Sequence, residues 1–343
     1  MITGPRTEGL LRRYPSFIRT VDSHTAGEAT RLIVSGLPPV PGKTMLEKLN
    51  AFRTRFDAVR LRLTREPRGS RDLLAALLTD PVSTGSDFGL IYMDARRYPF
   101  LCGHATIGAV STAIESEWIQ AHGPETWVTV DTPSGPMTAR ARIDSGKPRA
   151  VAIRMVPSFV YELDQPLSVP GTGTLHVDTV CVGGFFVMVS AEQIDLSMDA
   201  PDRHRWIELG MRVIDEANRQ LTVAHPLREE VKSVDVVEFY APMGRRRGRS
   251  IVIYGERHMD RSPCGTGTAA KLTLLHHRGE LSTGEDFINE GPLGTTFTAR
   301  IVEKTVVGGL PAVTVEIEGR AHITGVHSFL IDPEDPLPEG FLL

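Results

Sequence analysis

Two short stretches of the chain set a cysteine before a glycine at what reads as the mouth of a helix, "FLCGHATIGAV" around Cys102 and "SPCGTGTAAKL" around Cys264. The first turn of a helix has backbone N–H groups without intrahelical partners. With the macrodipole they favour a thiolate, lowering its pKa from about 8.5 toward neutrality. The same N–H groups bind a carboxylate. Pro263 keeps Cys264 in a turn, and the glycine after each cysteine lets a ligand approach the backbone closely. One local pattern thus supplies an acid/base thiol and half of an anion clamp, and the chain carries it twice.

Two acid/base groups of one kind suit a reaction that is itself nearly symmetric. Taking a proton from one face of a stereocentre and returning one to the other needs a base and an acid on opposite sides of the carbon, with roles exchanged in the reverse direction. Racemisation has that form, and its carbanion must spread charge into a carboxylate held by fixed N–H donors. Zinc fits poorly: Cys102 with His104, or His258 with Cys264, offers neither a C-x-x-C pair nor an H-x-x-x-H helix, so no metal is expected. "GTGTAAK" lacks P-loop spacing. A cysteine hydrolase is open to a chain with 11 histidines, but it leaves the second thiol unexplained. A binding protein that keeps the clamp without turnover is the reading from another class. Cys181, in "TVCVGGFFVMV", reads as a small buried hydrophobe.

The chain that must position these groups has 343 residues, 41% hydrophobic and 23% charged, ordinary for a two-domain globular protein. A net charge of −4 gives no general attraction to nucleic acid or an acidic membrane. The run "GRRRGRS" (244–250) reads as a solvated hairpin tip. Three cysteines make no disulfide framework. The N-terminal segment lacks the apolar run of a leader, and the longest apolar stretch (180–189) is far below the roughly 18 residues of a membrane helix. A cytoplasmic protein is expected, and a homodimer is compatible with this reading.

Short β-branched runs between glycine- and proline-marked turns predict many strands, and longer apolar periodicity predicts helices over 41–64, 103–119, 201–221 and 267–281. The class is α+β. A proline- and glycine-marked stretch from Met155 to Gly173 is the expected domain crossing, and the Cys-Gly-x-x-Thr motif in each half suggests an internal duplication.

These residues resemble the proline racemase family across nearly the whole chain. The resemblance rests on "DSHTAGEATRLIVSGLP" (22–38), "EPRG" (66–69), "YPFLCGHATIGA" (98–109), "GGFFV" (183–187), "VDVVEFY" (234–240), "DRSPCGTGTAAKL" (260–272) and the C-terminal "ITGVHSFLIDPEDPLPEGFLL". It implies a fold similar to diaminopimelate epimerase: two similar domains, each a sheet wrapped around a central helix, with the active site in the cleft between them. The expected domains are 1–163, completed by 324–343 and carrying Cys102, and 164–323, carrying Cys264. The resemblance implies catalysis by Cys102 and Cys264 without a cofactor, a substrate carboxylate held by Gly103, His104, Gly265 and Thr266, and a ring ammonium donating to Asp260; a helix cap is a further reading of Asp260 that need not compete with that role. His24 and Glu28 match a family signature and are taken as scaffold.

The implied substrate is a small imino acid, proline or hydroxyproline, undergoing racemisation or 2-epimerisation. The alternative is dehydration of trans-3-hydroxy-L-proline to a pyrroline carboxylate. Dehydratases of the family typically have threonine at the position of Cys264, so the cysteine favours inversion. Leu74, Val236 and Tyr254 are candidate ring contacts. Racemases usually have phenylalanine at the positions of Leu74 and Tyr254, and the tyrosine hydroxyl suits a hydroxylated ring. "FLCGHA" also departs from the usual "NMCGHG", and Ala105 narrows the expected pocket.

Overall fold

Strands dominate, as the short β-branched runs predict. The computed structural model describes residues 7–14, 17–199, 201–255 and 257–343, and the chain divides into two compact units. One comprises the described residues up to Thr25, Ala29–Arg149 and Ala321–Leu343, and the other Ala26–Glu28 and Ala150–Arg320. Among the described residues, no helix is long and apolar enough to cross a membrane.

The first unit begins with α1 (Thr7–Arg13), β1 (Phe17–Thr25) and β2 (Glu28–Ser35). The two-residue turn between these strands holds Ala26 and Gly27 at φ +51° and +100°, the left-handed geometry of a tight hairpin. Then come α2 (Met45–Arg55), α3 (Asp57–Thr64), β3 (Leu74–Thr79), β4 (Phe88–Met93), α4 (Gly103–Glu115), β5 (Glu125–Thr132) and β6 (Gly135–Asp144). The helix expected over 41–64 is two helices, because Phe56 leaves helical geometry at φ −130°, ψ 17°. Pairing runs β17 (Ala321–Leu330), β1, β2, β3, β4, β5, β6, with β2–β3 and β4–β5 parallel and β1–β17, β3–β4 and β5–β6 antiparallel. On one face Ala75 and Leu77 of β3 pack with Phe52 of α2 and Leu63 of α3. Against β1, β3, β6 and β17 lies α4, buried at every residue from Gly103 to Ile114. Its small side chains allow that depth.

The chain leaves this unit inside β7 (Lys147–Arg154), after Arg149. The second unit continues with β8 (Ser158–Val169), β9 (Gly173–Val182), β10 (Gly184–Ser190), α5 (Arg203–Gln220), β11 (Val234–Pro242), β12 (Arg247–Tyr254), β13 (His258–Met259), α6 (Gly265–His277), β14 (Phe287–Glu290), β15 (Thr296–Val307) and β16 (Leu310–Gly319). The stretch expected to be a crossing is instead mostly β8, a strand with alternating burial that pairs with β9 and β16. Prolines 157 and 166 bracket or punctuate that strand without unmaking it.

Pairing in the second unit closes on itself: β8, β9, β10, β11, β12, β14, β15, β16 and back to β8. Closure leaves these strands no open edge. Helix α6 packs against β8, β9, β10, β12, β15 and β16 and is buried from Gly267 to Leu274. Helix α5 lies on the outer side. Its stripe of Trp206, Leu209, Val213 and Ala217 meets Val237 and Phe239 of β11 and Ile251 and Ile253 of β12.

Candidate active site

In the first unit Cys102 is the N-cap of α4, in extended geometry (φ −148°, ψ 108°), and its side chain makes no cap hydrogen bond. The thiol is half-buried. Its Sγ lies 3.3 Å from His104 Nδ1. Gly103 and His104 are the first two residues of α4, where N–H groups lack intrahelical acceptors. The Cys102 carbonyl accepts from Thr106 N at 3.0 Å and Thr106 Oγ1 at 2.8 Å, and Tyr92 backs Thr106 Oγ1 at 2.6 Å. Thr25 Oγ1 donates to the His104 carbonyl at 2.8 Å. The loop before the cysteine is tied down from below, with Arg60 and Arg65 donating to the carbonyls of Asp94 and Ala95, both at 3.1 Å. Leu74 opens β3 and, by strand alternation, points to the face opposite Ala75 and Leu77, the side of α4.

In the second unit Cys264 is the N-cap of α6, and its geometry differs sharply. It sits at φ +58°, a region that non-glycine residues enter at a cost of order 1–3 kcal/mol. A hydrogen-bond relay holds it there. Asp260 Oδ1 accepts from Ser262 N at 2.8 Å and Ser262 Oγ at 2.7 Å, and Ser262 Oγ accepts from Cys264 N at 3.1 Å. Gly267 N donates to Cys264 Sγ at 3.3 Å, and Thr266 Oγ1 is 3.5 Å from the same sulfur. Gly265 and Thr266 open α6. Asp260 is therefore no helix cap: that place belongs to Cys264, and the carboxylate organises the loop before it. Gly291 lets its chain press on this loop, since a Cβ there would sit 2.7 Å from Pro263 N.

The hairpin tip buttresses the same loop. Glu28, 1% exposed, accepts from Arg261 N at 2.9 Å, Arg261 Nε at 3.0 Å and Arg261 Nη2 at 2.7 Å. His258 Nε2 is 3.4 Å from Glu28 Oε1. The scaffold role expected of Glu28 thus has a specific form, a buried bidentate clamp on the residue after Asp260. His24 stacks on His322, ring centroids 5.3 Å apart.

Tyr254 ends β12 in register with Val236 on β11 and His258 on β13, its ring centroid 4.6 Å from that of His258. Alternation places Tyr254 on the face of Ser250 and Val252, and Val252 Cγ2 lies 3.0 Å from where a Cβ on Gly267 would be. Val236, Tyr254 and the mouth of α6 therefore share one face. Thus Leu74, Cys102, Gly103 and His104 gather in the first unit, and Val236, Tyr254, Asp260, Cys264, Gly265 and Thr266 in the second.

The electrostatics depart from expectation. Burial pushes the Cys264 thiol well above its usual range, and Asp260 and Glu238 push it further, while Thr266 and Gly267 pull the other way. Desolvation outweighs the helix mouth. Burial, with Glu28 as a like-charged neighbour, raises Asp260 to about 6. Burial raises the Cys181 thiol to about 12, fitting its reading as a core residue. The arginine run is, as expected, an exposed hairpin tip between β11 and β12; Arg247 and Arg249 pair with Glu290, Arg249 also with Asp199, and Arg245 with Glu285. Among the described residues no three His, Cys, Asp or Glu side chains gather as a ligand set.

Sequence reasoning missed Ser262, Arg261 and a buried cluster of Glu238, Ser250, Lys271 and Asn289. Lys271 alone carried a signal, as the single charge within the small-residue run of α6.

Known proteins match along nearly the whole length. The family described as proline racemase matches residues 20–342. Proline racemase of Clostridioides difficile is 40% identical over 333 residues, covering 96% of this chain and 99% of that one. Trans-3-hydroxy-L-proline dehydratase of Azospirillum brasilense is 36% identical, covering 95% and 98%. The crystal structure of a hydroxyproline epimerase from Agrobacterium vitis with bound trans-4-hydroxy-L-proline superposes with a TM-score of 0.88 at 31% identity, covering 96% of each chain. With two cysteine-capped helices in place and this similarity end to end, the chain belongs to the proline racemase family and is an enzyme.

Proposed function

We propose that the protein is a cofactor-independent racemase or 2-epimerase of proline or hydroxyproline, working by proton transfer between two thiols and one α-carbon. The supporting observation is that both cysteines cap helices whose first turns present N–H groups, so each unit supplies a proton carrier beside a carboxylate donor set. In one direction the Cys102 thiolate removes the α-proton and the Cys264 thiol delivers its own to the opposite face; the reverse reaction exchanges the roles. The N–H groups of Gly103, His104, Gly265 and Thr266 hold the substrate carboxylate and stabilise the charge it receives from the carbanion. Ser262 occupies Asp260 Oδ1, and Oδ2 is assigned to the ring ammonium, whose charge keeps the carboxylate ionised and the α-proton acidic.

Tyr254 makes a hydroxylated ring a reasonable substrate, because a phenol at a ring contact can hydrogen-bond a ring hydroxyl, whereas Val236, paired with it across β11 and β12, suits plain proline. The same tyrosine supports a second reading, dehydration of trans-3-hydroxy-L-proline, in which Cys102 alone acts as base and the ring hydroxyl departs. NMR in deuterium oxide on L- and D-proline and the 3- and 4-hydroxyproline isomers separates them. Inversion with α-deuteration of at least one substrate is expected. Loss of the ring hydroxyl without inversion would establish the dehydratase. Binding of pyrrole-2-carboxylate with no turnover of any substrate would leave a binding protein.

A further inference from the structure

Behind the first turn of α6 lies a buried polar cluster that the proton-transfer scheme does not use. Lys271 Nζ donates to Arg249 O at 3.0 Å, Ser250 Oγ at 2.5 Å and Asn289 Oδ1 at 2.7 Å, and lies 3.4 Å from Glu238 Oε1. Ser250 spends its single hydroxyl proton on Glu238 Oε1, at 2.5 Å. The other oxygen, Glu238 Oε2, is buried without a hydrogen-bond partner. It is aimed at the helix: it lies 2.7 Å from where a Cβ on Gly267 would sit, and Gly267 is the residue whose N–H reaches Cys264 Sγ. A buried carboxylate oxygen left unpaired is costly, and such exceptions concentrate where they serve a function.

We propose that Glu238 is a positioning residue for Cys264: its unpartnered Oε2 presents negative charge to the first turn of α6 and holds the proton on the Cys264 sulfur. On the two-thiol reading above, on which this last step rests, that is the proton delivered to the carbanion.

The groups around Glu238 fit this role. Lys271, from α6, approaches Oε1; Ser250 from β12 also serves Oε1, and Asn289 from β14 serves Ser250 and Lys271. The remaining charge, Asp260 in the loop before α6, adds to the negative field at the sulfur. Burial raises Glu238 to about 7 and lowers Lys271 to about 8. As pH rises toward the range where a thiol pushed upward titrates, the ammonium is therefore the partner whose charge weakens, while the carboxylate keeps its own.

The test is the pH dependence of iodoacetamide alkylation at Cys264 in the full-length protein, read by mass spectrometry of the peptide containing it. Glu238→Gln should move the onset down by about one pH unit, or about tenfold faster labelling at a fixed pH below both onsets. An unchanged onset in a folded variant, judged by near-UV circular dichroism, overturns the proposal. Should that variant not fold, E238Q/K271M leaves no lysine buried against the amide; in the pH range where the ammonium is neutral it removes the Glu238 charge alone and should shift the onset likewise. The wild-type profile is a further check, since a Cys264 onset at or below that of Cys102 also overturns it. Racemisation is assayed separately, so failure of the two-thiol reading leaves the thiol titration standing.

Discussion

The mouths of α4 and α6 share a motif and differ in almost everything around it. Cys102 is extended, half-buried and beside an imidazole, whereas Cys264 is at positive φ, buried and flanked by carboxylates. The third position after each cysteine carries the contrast into packing. It is Ala105 in α4 and Gly267 in α6, where Glu238 Oε2 and Val252 Cγ2 occupy the space of a methyl group. A repeated local motif thus need not make two equal thiols. In one direction Cys102 must lack a proton while Cys264 holds one, and the reverse direction needs the opposite arrangement.

Serine at either thiol gives the largest expected effect: Cys102→Ser and Cys264→Ser should each lower inversion by about 10³-fold. Full activity in either variant would break the two-carrier reading. Iodoacetamide should label Cys102 before Cys264 at neutral pH, and equal rates would remove the contrast between the mouths.

Asp260→Asn comes next. Losing a charged partner for the ring ammonium should cost about 1.5–3 kcal/mol, roughly 10- to 150-fold in kcat/KM. Stability should move the other way. A carboxyl raised to about 6 in the fold binds its proton more tightly folded than unfolded, so its contribution to stability falls as pH rises from about 4 to about 6. At pH 7 the asparagine variant should melt at the same temperature or higher, and a clearly lower Tm would contradict that sign. In the wild type, kcat/KM should drop as pH falls through about 6, where Asp260 takes up its proton.

The smallest effects separate the helices. Gly267→Ala should destabilise, because overpacking against Glu238 and Val252 costs about 1–3 kcal/mol against a gain of about 1 in helix propensity. Ala105→Gly should cost about 1 kcal/mol through propensity and about 1 kcal/mol more through loss of its buried methyl. Chemical denaturation measures both, and a stabilised Gly267→Ala would mean that the space behind α6 is open.

Much of this was legible in the chain. Short β-branched runs announced the strands, and the Cys-Gly motifs placed both thiols at helix N-termini, because capping geometry is settled within a few residues. Asp260 was found from its motif as a partner for a ring ammonium; the added reading as a helix cap gave way because only the backbone path decides that Cys264 takes that place. The break at Phe56 was missed because Phe52, Phe56 and Tyr98 pack as a cluster whose third ring comes from a distant loop. The stretch after Met155 is a strand because β9, the next strand, pairs along its length and β16, about 150 residues on, adds a short second ladder at Ser158 and Phe159.

The sequence by itself determined which residues could carry protons and that each would stand at a helix mouth, since those features depend on neighbours one to four positions away. Only the tertiary structure decided how acidic Cys264 is. Its pKa depends on burial and on charges from separate elements: Asp260 on the preceding loop and Glu238 on β11, with Glu28, more than 200 residues earlier, acting through Asp260. Electrostatic energy follows distance through space and the loss of water, and neither can be counted along the chain.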